Sequence, residues 1–183
     1  MSDPAGSGPL LTTERLGLWR PRRDDFAGIH QLVLPEDTRR FLGPEEPSEM
    51  NSFARLLRNA GSWDLYGYGN FMLRYHGGDE IVGAAGLFHS MRGFGQGMDD
   101  VAEAGWIIHR DHWGQGLARE AMSAVLNWFD AAPGPRRAVC MIEDGHTVSD
   151  RLAGQLGFVR YGRHQDQPDE KVLILYERFG PVA

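Results

Sequence analysis

The sequence has little of several features that would place it in a specialised class of protein. It contains one cysteine among 183 residues, which excludes an intrachain disulfide. It has no run of about 18 apolar residues of the kind that spans a membrane. Residues 1–9 lack the basic start and apolar stretch of a secretion signal. We therefore expect a soluble, cytoplasmic protein with no membrane partner and with a flexible segment at residues 1–9.

An excess of positive charge is also missing. The chain has 19 Lys and Arg against 25 Asp and Glu, which gives a formal net charge of -6. Binding to nucleic acid requires clustered Lys and Arg to neutralise phosphates, so we expect no nucleic-acid partner. The acidic balance is better suited to a cationic small molecule or a peptide amine.

The cysteine and the histidines give no strong indication of a reactive or metal site. Cys140 lies in the apolar run 138–142, which is typical of a buried structural thiol. His109 and His112 have His-x-x-His spacing, but a zinc site needs a third ligand, and no acid or cysteine stands at a suitable spacing. We therefore expect no metal.

The length and the 42% hydrophobic content fit a single domain, here residues 10–183. Ser48 is predicted to cap the second of four helices, on which Met50, Phe53, Leu56 and Leu57 recur at helical spacing, and Gly61 to end it. Residues 39–47 and 91–100 are interpreted as loops. Because a helix connects strands 101–109 and 137–142, these strands are predicted to be parallel neighbours. The predicted strands are 10–19, 68–75, 81–88, 101–109, 137–142, 158–163 and 172–178, and the predicted helices are 24–32, 48–59, 116–129 and 147–156.

The most informative segment is a glycine turn between a strand and a helix. It reads Trp113-Gly114-Gln115-Gly116-Leu117-Ala118. Gly114 and Gly116 allow a tight turn and lack side chains that would keep a ligand away from the main-chain amides. Unpaired N–H groups at a helix start, together with the helix dipole, favour a phosphate or pyrophosphate. The alternative is a turn that only connects the strand to the helix.

Other phosphate-binding motifs fit this chain less well. A P-loop requires Gly-Lys-Ser/Thr, whereas Gly-Leu-Ala stands here. A dinucleotide fingerprint would have a small residue in place of Arg119 and would belong to the first strand–helix unit. The glycine-rich stretch 93–97 is followed by no helical pattern, so it is interpreted as a loop.

The turn resembles the Gln/Arg-x-x-Gly-x-Gly/Ala acetyl-CoA motif of the GNAT superfamily, with Trp113 in the first position. Residues 13–16 (Thr-Glu-Arg-Leu), Ser149-Asp150-Arg151 and residues 155–158 (Gln-Leu-Gly-Phe) resemble the ribosomal-protein alanine N-acetyltransferase (RimJ/RimL-like) branch. The resemblance implies an α/β (α+β) fold, with a mixed, mostly antiparallel sheet flanked by helices on both faces. It also implies transfer of an acetyl group from acetyl-CoA to a primary amine.

The resemblance also implies roles for particular residues. The turn would hold the cofactor pyrophosphate, and the end of the preceding strand would splay from its neighbour, pair with the pantetheine arm and offer an N–H to the thioester oxygen. Glu103 would be the general base; an ion-paired or surface carboxylate is the alternative. The implied cofactor residues are Trp106, Ile107 and Ile108 on the strand, and Trp113, Gly114, Gln115, Gly116, Leu117 and Ala118 in the turn.

Two residues near the last helix complete the implied site. Ser149 would contact or protonate the departing thiolate, or it would only satisfy amides of the first helical turn. Many relatives place a tyrosine one turn later, where this chain has Ala153. His146 stands where the family commonly has an asparagine that contacts the cofactor arm, so it is either a substitute donor or a cap. The acceptor would be a protein N-terminus or a small-molecule amine; a homodimer and a non-catalytic acyl-CoA-binding module stay open.

Overall fold

The structure is a computed structural model that describes residues 8–42, 46–132 and 136–180. Most of the predicted flexible segment at residues 1–9, and the three residues 133–135 between α4 and β6, lie outside the described residues. The described helices are α1 (Phe26–Val33), α2 (Glu36–Arg39), α3 (Glu49–Tyr66), α4 (Leu117–Asp130) and α5 (Thr147–Gln155). None of them is long and apolar enough to cross a bilayer.

An eight-stranded sheet forms the centre of the described chain. The strands are β1 (Leu11–Thr12), β2 (Leu16–Trp19), β3 (Asn70–Tyr75), β4 (Gly83–Met91), β5 (Asp99–Ile108), β6 (Arg137–Glu143), β7 (Val159–His164) and β8 (Leu173–Phe179). Their spatial order is β1-β2-β3-β4-β5-β6-β8-β7. Only the contact between β5 and β6 is parallel, and the other neighbours are antiparallel. The predicted mixed sheet and the parallel pair on either side of α4 are therefore confirmed.

The structure differs from the predicted elements at two places near the start of the chain. Residues 10–19 form two paired strands and not one, because the Thr13 N–H donates to the Leu16 oxygen over 2.9 Å and turns the chain back. A short helix, α2, lies between the predicted helix 24–32 and the predicted loop 39–47, where the sequence predicted no element. Both differences involve short turns for which periodicity gives no signal.

The long helix α3 begins as predicted and ends later than predicted. Ser48 caps it, since the Ser48 hydroxyl accepts the N–H of Asn51 over 3.1 Å. The helix passes through Gly61 and ends at Gly67, whose φ of 74° lies in the left-handed region. A helix tolerates an interior glycine at a cost of about 1 kcal/mol. Burial of Trp63, one turn beyond the predicted end, offsets that cost.

The apolar residues that predicted α3 do not form its buried face. Met50, Phe53 and Leu57 are exposed, and of the predicted set only Leu56 is buried. The other residues that α3 buries, apart from Trp63, are polar and find hydrogen-bond partners in the fold: Ser52, Asn59 and Ser62.

Different helices cover the two faces of the sheet. Helices α4 and α5 pack on one face, against Ala102 and Ala104 of β5. Helix α1, with Leu56 of α3, packs on the other face near Ile107 of β5. Side chains alternate along a strand, so Glu103 shares the face of Ile107 and lies on the opposite side of the sheet from α4.

Candidate active site

Strands β5 and β6 pair only along a short part of their length. Their register joins Ala102 to Ala138 and Glu103 to Val139 and goes no further. Beyond these pairs β5 continues to Ile108 and β6 to Glu143. The two strands are therefore unpaired beyond this point, and we call the region between residues 104–108 and 140–143 the opening. This is the strand end at which the resemblance implied a splay.

The backbone of β5 directs polar groups into this opening. The His109 N–H donates to the Val82 oxygen over 2.9 Å, which makes His109 and Val82 a hydrogen-bonded pair next to the antiparallel ladder of β4 and β5. Hydrogen-bonded and non-hydrogen-bonded pairs alternate in an antiparallel ladder, so Ile107 directs its N–H and C=O toward β4. Trp106 and Ile108 direct theirs toward β6. Of the three predicted strand residues, these two therefore present main-chain groups to the opening.

A 3-10 turn, Arg110–His112, separates β5 from the glycine turn, which leads into α4. Gly114 and Gly116 have φ values of 73° and 76°, a region that strongly favours glycine. A Cβ atom at Gly114 would meet nothing within 4 Å, and one at Gly116 would meet only an Arg15 nitrogen at 3.9 Å. No side chain caps the first turn of α4, which begins at Leu117. The first-turn amides are thus oriented toward an open surface, as an anion site requires.

A polar clamp, which we define as Thr13, Arg15 and Glu120, holds the glycine turn in place. The Glu120 carboxylate accepts hydrogen bonds from the Thr13 hydroxyl at 2.6 Å and from the Arg15 backbone and side chain at 2.9 and 2.7 Å. Arg15 also donates to the Gln115 carbonyl at 2.9 Å. Burial acts to raise the pKa of Glu120, but these hydrogen bonds and the Arg15 charge lower it overall. The clamp shows what the Thr-Glu-Arg-Leu segment at residues 13–16 does in the fold: its Thr13 and Arg15 side chains hold the glycine turn through Glu120 and Gln115.

Glu120 is a residue of the site that was not predicted from the sequence. Its place in the first turn of α4 could have drawn attention to it, because an acidic residue there interacts favourably with the helix dipole. That position does not reveal which groups the carboxylate binds, and the fold supplies them from residues more than 100 positions away.

Ser149 lies between two of the other predicted residues. Its hydroxyl accepts the indole N–H of Trp106 over 3.2 Å, and its Oγ lies 3.0 Å from Nε2 of His146. The His146 ring stacks on Phe41, with the ring centres 3.8 Å apart. Burial lowers the pKa of His146, as does Arg40, and Glu143 opposes this shift. The fold thus brings Trp106, His146 and Ser149 together, and Phe41 joins them from a segment for which the sequence offered no motif.

Glu103 is an ion-paired carboxylate on the opposite face of the sheet from α4. Only 3% of the residue is exposed. Its Oε2 accepts the Ser90 hydroxyl at 2.6 Å and Nε of Arg92 at 2.8 Å, and its Oε1 accepts Nη2 of Arg92 at 2.5 Å. Glu103 also belongs to the last pair before β5 and β6 separate. The Glu103 backbone therefore lies at the apex of the opening, its carboxylate is bound by Ser90 and Arg92, and among the described residues Arg92 alone donates to Oε1.

The cysteine and the histidine pair show no reactive or metal-binding arrangement. Cys140 is buried, and this burial, followed by the nearby charge of Glu103, raises the pKa of its thiol. The rings of His109 and His112 lie 6.2 Å apart. Within residues 8–42, 46–132 and 136–180, no group of three or more His, Cys, Asp and Glu could hold a metal ion.

Comparison with known proteins gives consistent results. The family model for the acetyltransferase (GNAT) domain matches residues 15–159. A GnaT-family acetyltransferase structure from Bordetella pertussis is 34% identical, with a TM-score of 0.81 over 92% of this chain and 98% of that chain. The uncharacterized N-acetyltransferase p20 of Bacillus licheniformis is 24% identical over 166 residues, which are 90% of each chain. The fold is also similar to that of a RimL ribosomal L7/L12 alpha-N-protein acetyltransferase in complex with coenzyme A, with 18% identity, a TM-score of 0.69 and coverage of 93% and 96%.

Proposed function

Because this chain belongs to the GNAT acetyltransferase family, we propose that it moves the acetyl group of acetyl-CoA directly to a primary amine. The amine belongs to a small molecule or to a protein N-terminus. The observation that carries the proposal is that β5, whose end is not paired with β6, leads through residues 109–116 to the uncapped first turn of α4. A long ligand with an anionic end and a polar arm would find partners along these residues, and the solved RimL relative contains coenzyme A.

In this proposal the two ends of acetyl-CoA contact different parts of the site. The amides from Trp113 to Ala118 hold the pyrophosphate, where the absence of side chains at Gly114 and Gly116 leaves room for it. The main-chain groups of Trp106 and Ile108 pair with the pantetheine amides. An N–H of the same strand end donates to the thioester oxygen, which stabilises negative charge as it develops there.

Three residues serve the transfer itself. The amine nitrogen forms a bond to the acetyl carbon as the bond from that carbon to sulfur breaks. Ser149, oriented by the N–H of Trp106, donates its hydroxyl proton to the departing sulfur and takes a proton back from water. His146 helps to orient Ser149 through a second hydrogen bond, between its Nε2 and the Ser149 Oγ. Glu103 takes up the proton of the amine through Oε1, directly or through one water.

The cofactor placement can be tested with two matched aspartate variants. Gly116→Asp puts a carboxylate among the amides proposed to hold the pyrophosphate, so acetyl-CoA affinity should fall by about 100-fold or more. Gly67→Asp is the control, because Gly67 has a similar φ of 74° and open surroundings at the end of α3. Both variants carry the same backbone strain, but only the first should lose binding in isothermal titration calorimetry. Equal affinity in the two variants would contradict the placement.

The reaction can be tested by measuring CoA release with a panel of primary amines. Release that depends on an added amine, together with a mass increase of that amine by one acetyl group, supports the enzyme. Glu103→Gln should lower the turnover number with little change in acetyl-CoA affinity. Binding of acetyl-CoA without release for any amine would instead indicate the non-catalytic acyl-CoA-binding module, an alternative that the occupied Glu103 carboxylate favours.

A further inference from the structure

The contact between Arg92 and Glu103 occupies the place where an amine would have to approach the proposed base. We propose that the Arg92 guanidinium takes the position of the acceptor's ammonium group, and that it leaves when the acceptor binds. Arg92 would then be a positioning residue that sets the affinity for the acceptor and favours cationic amines. This inference rests on the proposed function.

The position of Glu103 in the fold assigns it to the acceptor rather than to acetyl-CoA. The glycine turn leads into α4, which covers the face of β5 that carries Ala102 and Ala104. Glu103 projects from the opposite face, at the last pair before the strands separate. A donor held along α4 and an acceptor held near Glu103 would therefore meet at the opening from opposite sides of the sheet.

Electrostatics require a cation at this position as long as the Glu103 carboxylate is ionised. A carboxylate that is only 3% exposed is strongly destabilising unless a positive group pairs with it. Arg92 supplies that charge with two parallel hydrogen bonds, one to each oxygen. The Ser90 hydroxyl can stay bound to Oε2 when Arg92 leaves. An incoming ammonium group would then satisfy the same carboxylate, which exchanges one cation for another.

Arg92 is placed so that it can leave without disturbing the sheet. Its side chain is 34% exposed, whereas that of Glu103 is 4% exposed, so the guanidinium lies between the carboxylate and solvent. The residues that follow are anchored independently, since the Gly93 and Gly95 amides donate to Asp99 at 2.6 and 2.7 Å. A rotation of the Arg92 side chain alone is sufficient to expose Oε1.

The exchange can be tested by comparing the effect of one variant on the KM for the amine with its effect on the KM for acetyl-CoA. With butylamine as the acceptor and saturating acetyl-CoA, Arg92→Ala should lower the KM for butylamine on the order of tenfold, because the competing internal cation is gone. The KM for acetyl-CoA should not change. Arg178→Ala is the control, since it removes another partly buried arginine–carboxylate pair, with Asp130, and should leave the KM for butylamine unchanged.

A second measurement does not depend on turnover. Guanidinium chloride at millimolar concentration should raise the melting temperature of Arg92→Ala, because guanidinium binds the Glu103 carboxylate. Butylammonium binds the same carboxylate, so the rise produced by guanidinium should be smaller when butylammonium is present. The double variant Arg92→Ala with Glu103→Gln should show no such rise, because no carboxylate remains to bind the cation. If Arg92→Ala does not fold, Arg92→Lys keeps the charge without the paired geometry, and its KM for butylamine should fall by less.

The outcomes separate this inference from the proposed function. An unchanged or higher KM for butylamine in Arg92→Ala would overturn it, and so would a KM for butylamine in this variant that added guanidinium does not raise. If wild type binds acetyl-CoA but releases no CoA with butylamine, the proposed acetyl transfer to this amine is contradicted. The inference is then decided by the guanidinium-dependent melting temperature, and the absence of a rise overturns it.

Discussion

The clamp formed by Thr13, Arg15 and Glu120 allows a sharp test of how the glycine turn is held. Arg15→Ala removes the side-chain contacts to Glu120 at 2.7 and 2.6 Å and the contact to the Gln115 carbonyl at 2.9 Å. Hydrogen bonds to charged groups contribute about 1.5 to 3 kcal/mol each. The Arg15 side chain is 39% exposed, so solvent screening reduces the total to about 2 kcal/mol.

Two quantities should change in Arg15→Ala. A loss of about 2 kcal/mol lowers the melting temperature of a chain of this size by about 4 to 8 °C. If about half of that energy holds the turn in its binding conformation, the Kd for acetyl-CoA rises about fivefold. Differential scanning fluorimetry and isothermal titration calorimetry on the same samples give both values.

The control for this test lies at the other end of the same helix. Arg178 pairs with Asp130, the last residue of α4, through hydrogen bonds at 3.0 and 2.5 Å. Arg178→Ala should therefore lower the melting temperature by at least as much and leave the Kd for acetyl-CoA unchanged. The reasoning fails if both variants change the Kd equally, or if Arg15→Ala lowers the melting temperature without any effect on the Kd.

Three further predictions follow from single residues. Gly61→Ala should raise the melting temperature by about 2 to 4 °C, because Gly61 lies inside α3 with open space around it; a lower value would contradict this. The lowered pKa of His146 means that the unfolded chain binds its proton more readily. Between neutral pH and about pH 5, wild type should therefore lose more urea-unfolding free energy than His146→Gln, and equal losses would refute the assignment. The Cys140 thiol, buried and with a raised pKa, should react with a thiol reagent only after denaturation, and rapid reaction in native buffer would disprove its burial.

Features encoded by consecutive residues could be predicted from the sequence. The glycine turn, the Ser48 cap, the succession of most helices and strands along the chain and the parallel pair around α4 all depend on local conformational preferences or on short connections. The motifs at residues 13–16 and 149–151 were visible as a resemblance, but their contacts were not. Gly61 shows where local preferences fail to predict the structure. Glycine disfavours a helix, but α3 continues through Gly61 because burial of Trp63 farther along the helix stabilises it by more.

The sequence by itself determined where a tight glycine turn leads into a long helix, because glycine freedom and helix polarity are local properties. Only the tertiary structure decided what surrounds that segment. It joined Arg15 to Glu120, Phe41 to His146 and Arg92 to Glu103. Such pairs form when distant parts of the chain meet over a shared core, and no pattern along the chain reports the direction in which a side chain will then point.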